Sequence, residues 1–264
     1  MQTIGIICAC KSELKPFLAR LKNQTIKEKA TWTFYEGIIG QTRIVAVQCG
    51  ICKVNAALAA QILIDTFHVD AVINSGTAGG MDPALQILDT VIAEKIAYHD
   101  IDDNILTEEH PYMDDPYFRS DSKLLAAARE YSQVYHQTRP RGGSGSTGLH
   151  GVCTCAPARE PRIFFGVMVT GEQFIEDESR EEINRRFSPL CVDMETAGIA
   201  HACYVNQVPF LAVRTITDTA EHKGLAVYSR NSHRAGEMAA QIVMDLLPFC
   251  DFEEPERCTI RSEK

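Results

Sequence analysis

No apolar run in this sequence reaches the eighteen or so residues that a membrane-crossing helix needs. The opening Met1-Gln-Thr-Ile-Gly-Ile-Ile has neither the basic start nor the long apolar core of a secretory signal, so a cytoplasmic location is expected. Basic charge is scarce: 26 Lys and Arg against 35 Asp and Glu leave a formal charge of −9. A general nucleic-acid binder needs a basic footprint, so neither nucleic acid nor membrane is expected as a partner. The glycine-rich stretch Asn74-Ser-Gly-Thr-Ala-Gly-Gly80 is followed by no Gly-Lys-Ser/Thr and lacks dinucleotide-fingerprint spacing.

Cysteine is not scarce. There are 10, with close pairs at Cys8/Cys10, Cys49/Cys52 and Cys153/Cys155. A 264-residue chain is too long for a disulfide miniprotein. The CxxC at Cys49 meets no second CxxC and no HxxxH, and Cys8 and Cys49 terminate apolar runs. Reduced, mostly buried thiols are therefore expected, with no metal and no cofactor.

Hydrophobic residues make up 45% of the chain, enough for a substantial core. Thr3–Cys8 reads as a buried strand, and Leu14, Phe17, Leu18 and Leu21 recur at helical spacing. Thr31–Ile38 and Thr42–Gln48 read as a hairpin. Val54–Phe67 is apolar nearly all round, which predicts a buried helix. Ala71–Ile73 is a strand that runs into a tight glycine turn at 76–80, and Asp89–Ala97 is the next. Tyr98–Ser120 reads as a long acidic loop, and Lys123–Ser132 as a helix. Further on, strands are expected at Ile163–Val169, Leu190–Val192 and Phe210–Ile216, and helices at Glu176–Arg186, Thr196–Tyr204 and Ser229–Leu247. Arg139–Pro161, with Gly142-Gly-Ser-Gly-Ser-Thr-Gly148, reads as a flexible insertion. This alternation predicts one α/β domain over residues 1–250, a central mixed twisted β-sheet flanked by helices, with a charged tail at 251–264.

Several acids stand where an apolar strand gives way to the next element, the usual place for ligands in α/β sheets. They are Glu13, Asp193 and Glu195 in Cys191-Val-Asp-Met-Glu195, and Asp218 in Val213-Arg-Thr-Ile-Thr-Asp218. Each alone reads equally well as a cap or a solvated carboxylate. Together they allow a base that orients water at Glu13, a diol clamp at Glu195 and a half-buried general acid at Asp218. Arg214 is placed to partner an acid. Phe174-Ile175, after Thr170-Gly-Glu-Gln, could offer a ring platform and a backbone amide to a flat base.

In this order the pieces resemble the 5′-methylthioadenosine/S-adenosylhomocysteine nucleosidases of the purine and uridine phosphorylase superfamily. The likeness runs from Gly5-Ile-Ile and Glu13 through Gly50-Ile-Cys-Lys-Val54, Asn74–Gly80, Ala97-Tyr-His-Asp100, Gly171–Ile175, Val192–Glu195 and Val213–Asp218. It implies hydrolysis of the N-glycosidic bond of 5′-substituted adenosines. Asp218, held by Thr217, would protonate the base, and burial and the anionic Glu195 would raise its proton affinity. Phe174 would stack on adenine and Ile175 would read its edge. Glu195 would stay ionised on the ribose hydroxyls with Met194 against the sugar. Glu13 would orient water, with Thr77 and Gly79 lining that side. The resemblance also implies a homodimer, with the acidic loop near the partner's site.

The chain departs from the family at Cys8-Ala-Cys-Lys-Ser-Glu13, where Gly-Ala-Met and consecutive acids are usual, and at Cys52, usually glycine. A phosphorylase of the same superfamily is the alternative activity. It would need a cationic cradle for phosphate, yet no Arg lies between Met1 and Gly5 or from Gly76 to Gly80. A nucleoside-binding protein without catalysis would be expected to lack Glu13 or Asp218; both are present.

Overall fold

The computed structural model describes residues 2–102, 104–138, 159–175 and 177–250. Ten strands form one mixed sheet. Its first part is β1 (Thr3–Cys8), β2 (Lys22–Lys29), β3 (Trp32–Ile39), β4 (Thr42–Gln48) and β5 (Ala71–Gly80). It continues with β6 (Thr90–Tyr98), β7 (Phe118–Arg119), β8 (Ile163–Thr170), β9 (Cys191–Asp193) and β10 (Phe210–Asp218). The path runs β10-β6-β8-β9-β5-β1-β4-β3-β2, and β10 pairs with β5 as well as with β6. That extra pairing closes β5, β9, β8, β6 and β10 into a ring, which the sequence reading did not anticipate. The remaining strands extend from the ring as an open wing.

Side-chain alternation along the central strands splits the core into two faces. Ile7, Val45, Val47 and Val72 pack against α2 (Lys53–Phe67) and α6 (Thr196–Val205). Ile4, Ile6, Ile44 and Ile73 pack against α1 (Lys11–Arg20), α4 (Ser122–Thr138) and α7 (Leu225–Leu246). α6 lies so close to α2 that a Cβ on Gly198 would sit 2.7 Å from the Lys53 carbonyl oxygen. This approach sets the distance between the Cys52 turn and the start of α6, both of which build the site.

Several expectations need correction. Residues 76–80 are not a turn: they are extended and form the second half of β5, with Gly76–Gly79 in register with Arg214–Asp218. β2 went unread because every residue of Lys22–Lys29 is exposed, leaving no alternation to read; its lysines suit an edge strand that must not recruit partners. The stretch 98–120 contains α3 (Asn104–Glu108), anchored by buried Leu106, and the short β7. α2 is not wholly buried, since Val54 is 68% and Leu58 51% exposed. α5 (Asp177–Phe187) matches the expected polar helix. Most of the expected insertion, the Cys153/Cys155 pair and the tail 251–264 lie outside the described residues.

Candidate active site

The C-terminal ends of β1, β5, β9 and β10 converge on one cavity, lined by side chains of β5, β9 and β10 and of the segment and helix that follow β1. It measures about 200 Å³. A single water needs only about 10–15 Å³ by the same measure, so the space is ligand-sized. Every residue expected from the sequence lines it: Glu13, Thr77, Gly79, Phe174, Ile175, Met194, Glu195, Arg214, Thr217 and Asp218.

Glu13 is the third residue of α1 and is buried. Its Oε2 accepts the N–H groups of Ala9 (2.9 Å) and Cys10 (3.1 Å), and its Oε1 accepts the Thr77 N–H (2.8 Å) and hydroxyl (2.9 Å). An ionised carboxylate has about four lone-pair sites, so these four donors hold it fully satisfied. The Thr77 hydroxyl is the donor that can rotate away and leave a site for water. Gly76 permits this arrangement, because a Cβ there would lie 2.8 Å from Glu13 Oε1 and 2.5 Å from Arg214 Nη1.

Arg214 is fully buried in β10 and works as a hub. Its Nη2 lies 2.6 Å from Asp193 and 3.2 Å from Glu195, Nη1 donates to the Thr77 carbonyl (3.1 Å), and Nε donates to Thr196 Oγ1 (3.2 Å). Asp193 is further held by Thr170 Oγ1 (2.5 Å) and the Thr196 hydroxyl. Buried charges persist where they are paired and hydrogen-bonded, as here. The sequence reading of Arg214 as an acid's partner fits this geometry.

Glu195 stands at the start of α6 and accepts the Cys52 N–H at 3.0 Å. Cys52 holds φ +83°, a conformation costly to a residue with a Cβ, of order 1–3 kcal/mol. The departure from glycine thus leaves the turn intact, and its amide is aimed at the acid. Burial pushes the Glu195 carboxyl up to about 7, although Arg214 pulls the other way. The expectation that Glu195 stays ionised therefore holds above about 7.

Asp218 ends β10, buried opposite Gly79. Burial raises its proton affinity, while a hydrogen bond from Thr217 and the charge of Arg180 lower it. Burial acts as the sequence reading expected; Glu195 is not among the influences, so that part is corrected. Thr217 Oγ1 lies 2.7 Å from Asp218 Oδ1 and 3.2 Å from the Ala78 carbonyl. With one proton to give, it donates to the ionised acid or turns to Ala78 when the acid is protonated.

Phe174 is 42% exposed at the cavity mouth and meets Tyr228 of α7 edge-on at 6.2 Å. Ile175 is buried beside it. The sequence reading missed Tyr228 and Arg180, which also line the cavity. Tyr228 stands one residue before the helix expected at Ser229–Leu247, which begins instead at Leu225, and Arg180 lies in a helix that reads as uniformly polar. Neither carries a local signal.

Burial raises the Cys8 thiol well above its ordinary range, and a bond to Glu172 lifts Cys52 to about 11. Cys8, Cys10, Cys49, Cys52, Cys191, Cys203 and Cys250 are free thiols. Among the described residues no three His, Cys, Asp or Glu side chains cluster as a metal site. Nor is any described helix long and apolar enough to cross a membrane.

A mixed sheet with a closed ring and an acid-rich cavity at its strand ends defines an α/β protein of the class that binds a ligand where its strands end. The model of the phosphorylase superfamily matches residues 3–248, and the chain belongs to that superfamily. It is 31% identical over 245 residues to a 5′-methylthioadenosine/S-adenosylhomocysteine nucleosidase of Exiguobacterium sp., covering 91% of this chain and 95% of that one. The solved structure of such a nucleosidase from Colwellia psychrerythraea, in complex with adenine, superposes with a TM-score of 0.79 at 29% identity, over 94% of this chain and 96% of that one. The S-adenosylhomocysteine nucleosidase of Streptococcus pyogenes, in complex with 5-methylthiotubericidin, gives 0.79 at 27% identity over 95% and 98%.

Proposed function

We infer that this chain is a hydrolase of N-glycosyl bonds, releasing adenine from 5′-substituted adenosines such as methylthioadenosine and S-adenosylhomocysteine. The observation that carries the reading is the placement of Glu13 and Asp218 on one cavity, with Glu195 between them in chain order. Phe174 stacks on the purine and Ile175 reads its edge. Asp218 passes its proton to N7 as the C1′–N9 bonding pair moves into the ring. Glu13 takes a proton from water as the water oxygen bonds C1′. Glu195 binds the ribose hydroxyls, Met194 packs on the sugar, and Thr77 and Gly79 line the water side. Rate comes from stabilising the protonated base and the oxocarbenium-like sugar more than the ground state.

Water is favoured over phosphate by the charge on the nucleophile side. The Glu13 carboxyl group stands there, and Arg214 is committed to Asp193, Glu195 and the Thr77 carbonyl. The deciding assay follows adenine and the sugar product from methylthioadenosine, with and without inorganic phosphate. Free sugar in both cases is expected. A sugar phosphate formed only with phosphate would make the chain a phosphorylase, and binding without base release would make it a binding protein. A panel of 5′-substituted adenosines then ranks the substrates.

The same reading takes residues 1–250 as one nucleosidase domain in the cytoplasm, working as a homodimer. Support for the dimer comes from Ile51, Val54 and Leu58, apolar yet 54%, 68% and 51% exposed at the start of α2. Ile51 also lines the cavity, so a second copy seated there would cover the site.

A further inference from the structure

Arg180 is a buried cation that the reaction as described leaves unused. It reaches inward from α5 and donates through Nη1 to the Gly80 carbonyl at 2.6 Å, with Met81 Sδ at 3.3 Å. Among the described residues it makes no ion pair. A guanidinium stays protonated, so burying it without a counter-charge is costly.

Gly80 adjoins Gly79, the register partner of Asp218, and a Cβ on Gly80 would lie 3.3 Å from the Asp218 carbonyl oxygen. Arg180 is therefore anchored to the residue next to the acid's partner on β5, and it lines the same cavity. Among the described residues, Asp218 would supply a counter-charge when it gives up its proton.

We propose that Arg180 is a positioning residue for Asp218, its guanidinium stabilising the carboxylate that forms as the proton passes to the base. The proposal rests on the nucleosidase reading and adds to it the group that makes the acid strong enough to donate. Burial alone would hold the proton too tightly; a fixed positive charge opposes that and costs no reorganisation at the moment of transfer. Other ionisable groups on the cavity are Glu13 and Cys10 from the β1–α1 end, Asp193 and Glu195 between β9 and α6, Arg214 on β10 and Tyr228 on α7. Of the charged side chains, Arg180 is the one that pulls on the Asp218 proton.

The test is the pH profile of adenine release by the native chain, Arg180→Gln and Arg180→Lys. Activity falls along the alkaline limb as Asp218 loses its proton. In Arg180→Gln that limb should move up by on the order of one pH unit, with a lower plateau; Arg180→Lys should hold it near its native place. Should the glutamine variant fail to fold, Arg180→Met removes the charge and keeps an apolar stem. A limb that stays put in a folded, neutral variant overturns the proposal, whatever happens to the plateau. Titrating the Asp218 carboxyl by carbon-13 NMR reads the same shift without turnover. A native chain that releases no base would thus defeat the nucleosidase reading alone, and the Arg180–Asp218 coupling would still be decided.

Discussion

Glu13 accepts both the backbone N–H and the hydroxyl of Thr77, at 2.8 and 2.9 Å, across 64 residues of sequence. The contact ties the first helix to the middle of β5 and fixes the carboxylate as an acceptor. Glu13→Gln keeps the shape but turns one of the two oxygens into an NH₂ that faces donors. Turnover should fall roughly 10²–10⁴-fold, the range for a lost acid–base group. The check is single-turnover adenine release beside a thermal melt; native turnover would remove Glu13 from the water-activating role.

Asp218→Asn removes the proton donor and leaves the cavity shape. Base release should drop by roughly 10²–10⁴-fold. Affinity for a non-hydrolysable nucleoside should change by less than about tenfold, or 1.4 kcal/mol. Isothermal titration separates the two effects, and near-normal activity would refute the assignment.

Glu195 carries a pH prediction with a definite sign. Its carboxyl titrates near 7 in the folded chain against 4.5 for an unburied glutamate. The folded state therefore binds more protons between those values, and this group makes the chain less stable as pH rises through that window. Accepting ribose hydroxyls asks for the ionised form, so affinity for a ribose-bearing analogue should improve as pH rises through about 7. Free adenine, which has no ribose, should not follow. Parallel profiles for the two ligands would exclude Glu195 as the sugar clamp.

Gly76→Ala tests the close packing beneath the site. A Cβ there meets Arg214 Nη1 at 2.5 Å and Glu13 Oε1 at 2.8 Å. Overpacking of this kind costs about 1–3 kcal/mol. The melting temperature should fall by roughly 2–4 °C per kcal/mol, and activity should fall with it because both displaced groups serve the site.

Leu58→Glu tests the proposed dimer. Val54 and Leu58 lie one helical turn apart, so a charge there meets whatever covers Val54. Light scattering should report a dimer for the native chain and a monomer for the variant. A native monomer would refute the homodimer.

Much of the site could be read from the sequence because its acids stand at the ends of apolar strands, where order along the chain fixes place in space. Glu13, Glu195 and Asp218 all fall on the cavity for that reason. Residues 76–80 misled for the opposite reason. Glycine usually marks a turn, but here it marks extended backbone squeezed between Glu13 and Arg214. The influence of Arg180 on Asp218 was invisible because it depends on how α5 docks, which no local pattern records. Ring closure was equally hidden, since a strand's second partner leaves no trace in its own alternation.

That ring has a bearing on how the molecule works. β9 and β10, which carry Asp193 and Asp218, are hydrogen-bonded on both sides within one hoop. Parting the floor of the site would break those strand pairings. Traffic passes over the threshold formed by Ile51, Gln173, Phe174 and Leu225, the cavity residues that are also exposed. Natural or engineered changes in the pace and breadth of turnover will therefore gather at that threshold, while the hoop beneath it stays still.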